Sequence, residues 1–529
     1  MPKTSTAQSL QAAFKSWRLG AVTLLSLSSG LPLGIVLYVV PSWMEKEGVD
    51  IKTIGVLTLA QVPYAFKFLW SPLMDRWGVP RLGRKRGWIL LGQLALAASA
   101  FALASQASAP SLGVVGALTL LFAFASASQD IAIDAYTVDT LRPEEQGLAV
   151  GARTAMYRIG MWIAGGAISF AALQVGAATV GWGVTLSGLG ALFLLLSPVA
   201  IFAPEPEVQA PAPRSMREAV WEPFVGFFQK PRAMEIVAFL LLYKFADNLA
   251  VSLVRPFLLK VGYGEVDVGI ASTTVGLAFT MVGTFVGGYL TTSLGVGRAL
   301  WLFGILQSLP GLGYALVAAS EVNRPLMYAA MALEAGASGM GTGAFSVLLI
   351  RLTQKRFSAT QYALFSSVFA LGRTVAGPIA GALADAIGWR DFFLFTVICG
   401  VPGLVMLQRF VPLGTRDLPE ELGQPAAITG QPLTRAGLAA RGLAATLAGV
   451  ALGALASATL SGLKALKEGR GFSLASALER MASPAQASDW IALAEVTAFG
   501  LLVGFAAAAY LAARRGLKRE GSGAPAGAS

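Results

Sequence analysis

Residues 125–141 read ASASQDIAIDAYTVDTL and set Asp130, Asp134 and Asp139 inside one of the most apolar stretches of the chain. An ionised carboxylate near the centre of a bilayer costs roughly 2.5–3.5 kcal/mol on insertion scales unless it faces water, finds a partner or takes a proton. Three acids on one such segment point to a polar pathway through a membrane protein. The rest of the chain has the same character. Of its 529 residues 55% are hydrophobic and 13% charged, the latter about half the usual share in a soluble domain. Apolar blocks of about 20 residues recur along nearly the whole length, each enough to cross a hydrocarbon layer about 30 Å thick as a helix.

Working outward from 125–141, the spans are expected at 18–43, 51–75, 87–107, 110–140, 146–173 and 179–202, then at 233–260, 265–294, 298–320, 325–353, 358–387 and 389–411, with two more at 437–462 and 490–513. The fold class is therefore an all-α polytopic membrane protein of 14 helices. Its expected parts are a six-helix bundle (1–203), a Pro-rich cytoplasmic linker with an amphipathic segment (204–232), a second six-helix bundle (233–412), a linker (413–436), two extra transmembrane helices (437–513) and a disordered tail (514–529).

The formal net charge of +11 suggests nucleic acid only until it is mapped. The cations cluster in alternate loops, including Arg76, Arg81, Arg84, Lys85 and Arg86, where they set orientation with both termini cytoplasmic. The loop between the last two spans, with Lys464, Lys467, Arg470 and Arg480, is the exception. Cys399 is the only cysteine, so an intrachain disulfide and a thiolate metal cluster are excluded and no metal site or cofactor is expected. Histidine is absent, so proton chemistry falls to carboxylates. An internal repeat supports two related halves: Gln146 and Arg158 match Gln361 and Arg373 at one offset of 215 residues (361 − 146 and 373 − 158). Parallel six-helix repeats of this kind carry their site at the repeat interface near the midplane.

The loop WSPLMDRWGVPRLGRKRGW resembles the loop signature of major facilitator transporters, with Asp75 and Arg76 as its acid and base. KFLWSPLMDR at 67–76, ASQDIAIDAY at 127–136, YRIG at 157–160, YKFADNLAVSL at 243–253, GMGTGAF at 339–345, FSATQYAL at 357–364 and SSGLP at 28–32 together resemble the AmpG-type muropeptide permeases. The resemblance implies a proton-coupled symporter in the inner membrane of a Gram-negative bacterium, importing anhydro-muropeptides for peptidoglycan recycling, with a sugar-peptide substrate, protons and the lipid bilayer as its partners. It implies no enzyme and no nucleic acid, and a monomer is expected. Two positions depart from the pattern: Thr137 and Thr273 stand where lysines are common, while Arg153 and Arg255 are present. These departures keep open a related importer of a siderophore or another carboxylated metabolite. A receptor or enzyme is disfavoured, since the chain has no nucleophile motif and no sizeable soluble domain.

Asp130 and Asp134 lie four residues apart, about 40° apart around a helix, some 15 Å and 9 Å from its end near Thr140. Two carboxylates this close in low dielectric repel, which favours keeping a proton on one of them. The alternative is a structural ion pair with Arg153, Arg158 or Arg373. Glu334, also about 15 Å deep in its helix, joins Asp130 and Asp134 as a proton-coupling candidate. Substrate-binding candidates are Gln129, Tyr157, Arg158, Tyr243, Lys244, Asp247 and Arg373; Lys244 and Asp247 are also spaced to neutralise each other. Lys67 is expected to snorkel to the interface. Asp75, Arg76, Arg84, Arg86 and Asp139 are gating candidates, with a gate or loop salt bridge expected at Asp139. Gly165, Gly166, Gly287, Gly288, Gly377 and Gly381 are expected to permit close helix packing.

Overall fold

The computed structural model describes residues 16–49, 60, 62–164, 181–206, 211–423, 428, 431–467, 471, 473–485 and 487–516. Gly165, Gly166 and parts of the expected spans 51–75, 146–173 and 179–202 lie outside them. Among the described residues the named elements are all helices, with isolated bridge residues at Val79, Gly83 and Leu433. Eleven helical segments there are long and apolar enough to cross a membrane. The expected span at 358–387 is not among the eleven, although it forms a 30-residue helix. The remaining two, 51–75 and 146–173, are described only in part.

The helices of the N-terminal half are α1 (Trp17–Lys46), α2 (Val62–Phe66), α3 (Ser71–Arg76), α4 (Arg84–Ser105), α5 (Leu112–Thr140), α6 (Gln146–Trp162) and α7 (Trp182–Phe202). The linker carries α8 (Met216–Phe228). The C-terminal half contains α9 (Ala233–Leu242), α10 (Phe245–Val261), α11 (Glu265–Leu294), α12 (Val296–Leu306), α13 (Pro310–Ala319), α14 (Arg324–Leu352), α15 (Ser358–Ile387), α16 (Trp389–Cys399) and α17 (Val401–Phe410). Then come α18 (Arg435–Lys467), α19 (Leu474–Ala482) and α20 (Ala487–Arg515).

Several expected spans are broken rather than continuous, and the breaks shape the polar interior. The described end of 51–75 runs as α2, a 3₁₀ turn over Lys67–Leu69, and α3 with Pro72 in its first turn. Proline has no N–H to continue the preceding helix but fits a first turn. The span 233–260 breaks between α9 and α10 at Tyr243 and Lys244. A broken helix leaves backbone carbonyls that must find donors inside the membrane. Gln307, which follows α12, supplies one, donating from Nε2 to the Tyr243 carbonyl at 2.9 Å.

Small residues set the closest crossings. A Cβ on Gly30 of α1 would lie 1.9 Å from the Tyr157 carbonyl oxygen of α6, so SSGLP permits that approach. Gly288 of α11 meets Gly147 of α6 equally tightly, at 2.1 Å from its carbonyl oxygen. Among the described residues Gly377 and Gly381 have nothing within 4 Å of such a Cβ, so no close crossing is seen there. One apolar core gathers Leu25, Ile89, Ile133, Tyr136 and Leu148 and takes in Ala359 and Ala363 of α15. Another gathers Phe257, Tyr314, Met327 and Phe393.

The chain divides into two compact units, 1–220 with 235–418, and 221–234 with 419–529. Within the second, Trp221 and Phe224 of α8 meet Phe505 of α20 edge-on at 5.1 and 4.7 Å between ring centroids, and Phe228 meets Tyr510 at 5.7 Å.

Candidate functional site

In the N-terminal half the acids of α5 are held by two cations. Lys67 Nζ lies 2.5 Å from Asp130 and 3.3 Å from Asp134. Arg153 of α6 lies 2.5 Å from the other Asp134 oxygen, and Ser29 of α1 donates to Asp130 at 2.7 Å. Lys67 is 6% exposed. The expectation that it snorkels is therefore overturned: the 3₁₀ turn inside the broken second span turns it inward, towards two carboxylates that need counterions. The repulsion expected between Asp130 and Asp134 is offset by two positive charges, so this tetrad is neutral overall.

The C-terminal half repeats the pattern with one pair. Lys244 lies 2.8 Å from Asp247 and donates to Gln307 Oε1 and to the Ser338 hydroxyl and carbonyl, each at 3.1 Å. Ser338 donates to Asp247 at 2.7 Å. The neutralising contact that the spacing of Lys244 and Asp247 allowed is thus formed and is closed by α14.

Three charged side chains remain outside these pairs. Arg158 of α6 has Arg373 of α15, Glu334 of α14 and Asp247 as electrostatic neighbours. Glu334 has Asp247, Lys244, Arg158 and Tyr314 around it. Among the described residues Arg158, Arg373 and Glu334 form no ion pair. Arg158 and Glu334 are half-buried and Arg373 is exposed. Tyr157 stands between the two sets, with Asp130, Asp134, Tyr64 and Arg158 as neighbours.

Two candidates point elsewhere. Gln129 is fully buried and donates to Ser28 at 3.1 Å. It sits one residue from Asp130, hence about 100° around the helix, and packs beneath Gly92 of α4 instead of joining the acids. Tyr243 is 4% exposed, donates to the Leu300 carbonyl at 2.9 Å and stacks on Phe345 at 5.7 Å. It is a core residue, turned into the protein by the break at 243–244.

At the C-terminal end of α5, beyond the paired acids, lies a contact between the halves. Asp75 is fully buried and takes Lys85 Nζ at 2.7 Å, the N–H groups of Ala359 and Thr360 at 3.0 and 2.8 Å, and the Thr360 hydroxyl at 2.7 Å. A carboxylate on free N–H groups at a helix start is stabilised by both hydrogen bonding and the helix dipole. For Asp139 the expectation is a gate or a loop salt bridge. It accepts from Ser358 at 3.1 Å and forms no ion pair among the described residues, because Lys85 is committed to Asp75. Gln146 accepts from Arg351 at 3.2 Å, again joining the halves. Arg84 donates to the Asp75 carbonyl, Arg76 to the Pro213 carbonyl, and Arg86 to the Ile201 and Ala203 carbonyls while pairing with Glu205. Arg86 thus serves the carbonyl end of α7, where the dipole favours a cation.

The family model of the Major Facilitator Superfamily matches residues 22–359 and 256–527. The chain is 40% identical over 395 residues to a protein of Escherichia coli (strain K12) named "Anhydromuropeptide permease", covering 74% of this chain and 80% of that one. The chain belongs to the AmpG-like family of the major facilitator superfamily. A second relative, "Putative transporter AmpG 4" of Rickettsia conorii, is 31% identical, with 74% of this chain and 96% of that one covered. Solved structures share the fold: the E. coli fucose:proton symporter FucP (TM-score 0.56, 15% identity, 74% and 97% covered) and the proton:xylose symporter XylE (0.57, 13%, 77% and 98%). The chain is an integral membrane transporter of this family and not an enzyme.

Within this AmpG-like chain the two departures from the family pattern have structural places. Thr137 is fully buried and donates back to the Ile133 carbonyl, while Thr273 is exposed on a π-helical turn and donates to the Gly269 carbonyl. Cations reach the α5 acids from Lys67 and Arg153 instead. Sequence reasoning set Lys67 aside and left out Gln307 and Ser338. The KFLWSP segment held the one available signal for Lys67, a cation beside a proline-broken span.

Proposed function

We propose that this chain is a proton symporter that imports anhydro-muropeptides, or the disaccharide GlcNAc-anhydroMurNAc, from periplasm to cytoplasm for peptidoglycan recycling by alternating access. The observation that carries the reading is the 40% identity over 395 residues to a relative named as an anhydromuropeptide permease. On this reading the protein is a monomer of the Gram-negative inner membrane with both termini cytoplasmic. Residues 1–203 and 233–412 are its two six-helix bundles, and 437–513 adds two helices to make 14.

The charge arrangement supports particular roles. Glu334 is the central acid without an ion pair among the described residues, which makes it the leading proton carrier. Asp130 and Asp134 take a proton only by releasing Lys67 or Arg153, so they serve as a second, cation-linked step. Tyr157, Arg158, Arg373, Lys244 and Asp247 contact substrate. Asp75, with Arg76, Arg84, Arg86 and Asp139 around it, holds the cytoplasmic side closed until the halves rock apart.

The test is uptake of labelled anhydro-disaccharide peptide into proteoliposomes with and without an acid exterior. Saturable uptake that accumulates only with the gradient is expected. Its absence removes the reading, while gradient-independent exchange removes proton coupling alone.

A further inference from the structure

We infer that Arg158 and Arg373 form a two-part carboxylate site, one arginine from each half of the sequence, that takes a single anionic group of the sugar substrate and discriminates against neutral analogues. This rests on the muropeptide reading and deepens it for the disaccharide, whose lactyl carboxyl is free; in a muropeptide that carboxyl is tied up in the amide to the peptide, and a peptide carboxylate takes its place.

The first argument is a charge balance over the central region. Lys67 and Arg153 offset Asp130 and Asp134, and Lys244 offsets Asp247, each within salt-bridge distance. Arg158, Arg373 and Glu334 are left, two cations against one acid, with no ion pair to any of them among the described residues. When Glu334 takes a proton, both positive charges stand uncompensated. For Arg158, which is half-buried, a missing counterion is costly, and an anionic ligand relieves that cost where a neutral one does not; Arg373, exposed, adds its charge and its N–H groups from the other side.

The second argument is geometric. Arg158 and Arg373 stand at equivalent positions of the internal repeat (373 − 158 = 215), and each is an electrostatic neighbour of the other across the boundary between the sequence halves. Like charges are held near each other there by two helices that each pack on α14, not by attraction. The planar guanidinium fork presents paired N–H groups to a carboxylate, and two forks match its four lone-pair directions. A ligand carboxylate gripped from both sides joins the halves, so its binding favours the arrangement in which they are close. Glu334 is an acidic neighbour of Arg158 and has no ion pair of its own among the described residues, which links proton occupancy of Glu334 to the availability of the site.

The experiment is binding of two probes to the purified full-length protein in nanodiscs: GlcNAc-anhydroMurNAc, whose lactyl group ends in a carboxylate, and its primary amide, alike in size and shape. The acid is expected to bind at least about tenfold more tightly, in line with a charge-assisted hydrogen-bond pair. Arg158→Gln and Arg373→Gln should each remove the preference for the acid over the amide, with an unchanged thermal melt showing that the variants are folded. Arg158→Lys, which keeps the charge and loses the fork, should fall between. Equal binding of acid and amide to the wild type, or a preference that survives both Gln substitutions, overturns the inference while leaving muropeptide transport standing. Binding of neither probe removes both.

Discussion

Glu334 occupies a different electrostatic position from Asp130, Asp134 and Asp247, each of which has a cation within 4 Å. A proton arriving at one of the three paired acids must break an ion pair, whereas at Glu334 it only removes a charge. Glu334→Gln, which fixes the protonated charge state, is therefore expected to abolish accumulation driven by a pH gradient while substrate counterflow persists at a comparable rate. Unchanged accumulation would remove Glu334 from coupling. Lys67 leads to a prediction about stability. Lys67→Met leaves two buried acids sharing Arg153, a loss of roughly 3–5 kcal/mol for a broken buried pair. Adding Asp130→Asn removes the stranded charge, so the double variant should melt above the single one; the reverse order would show that Lys67 is not the counterion. The acids themselves were legible in the sequence, since a charged side chain in an apolar span needs a reason. Their partners were not, because Lys67 and Asp130 are 63 residues apart and nothing local reports which way a broken span turns its side chains. Gln129 and Tyr243 were misread for the same reason.

At the scale of elements, α15 begins inside the N-terminal half. Its first turn donates two backbone N–H groups and a hydroxyl to Asp75, and Ala359 and Ala363 enter the core built by α1, α4 and α5. Tyr362, 6% exposed, lies between these contacts and counts Asp134, Arg153 and Lys67 among its electrostatic neighbours. Opening this end of the protein must therefore free a helix start and uncover the neutral tetrad together. Asp75→Asn keeps one acceptor oxygen but loses the charge that Lys85 and the helix dipole both favour. Spin labels at Arg81→Cys and Lys355→Cys, with Cys399 replaced by alanine, should show a longer-distance population that is minor without the substitution. An unchanged distribution would place the closing energy elsewhere. Asp75 and its basic loop were readable as a gate from their resemblance to a loop signature. That the contact lands on backbone N–H groups of residues 359 and 360 was not, because backbone donors are common to every residue and leave no mark in a sequence.

For the whole molecule, the long apolar helices were legible from block length alone, and the repeat followed from Gln146 with Gln361 and Arg158 with Arg373. The breaks at 66–70, 243–244 and 306–310 were not, since a hydropathy count sees an apolar block whether or not its hydrogen bonds continue. Residues 221–234 belong to the compact unit that contains 419–529, a grouping that chain order hides. Its basis is aromatic: Phe505 takes the edges of both Trp221 and Phe224, and Tyr510 takes Phe228. In a membrane setting, where apolar burial gives little drive between helices, such specific ring packing carries more of the association. Edge-to-face aromatic pairs contribute about 0.5–1.5 kcal/mol each beyond area, so Phe505→Ala removes two such contacts at once. The last turns of α8 should then exchange their amide hydrogens faster, by about tenfold for each 1.4 kcal/mol lost, while exchange in α5 and α14 of the other unit stays as it was. If α8 keeps its protection, the linker is held by its own helix and by the ion pair between Glu218 and Arg356, and the C-terminal helices are dispensable to it.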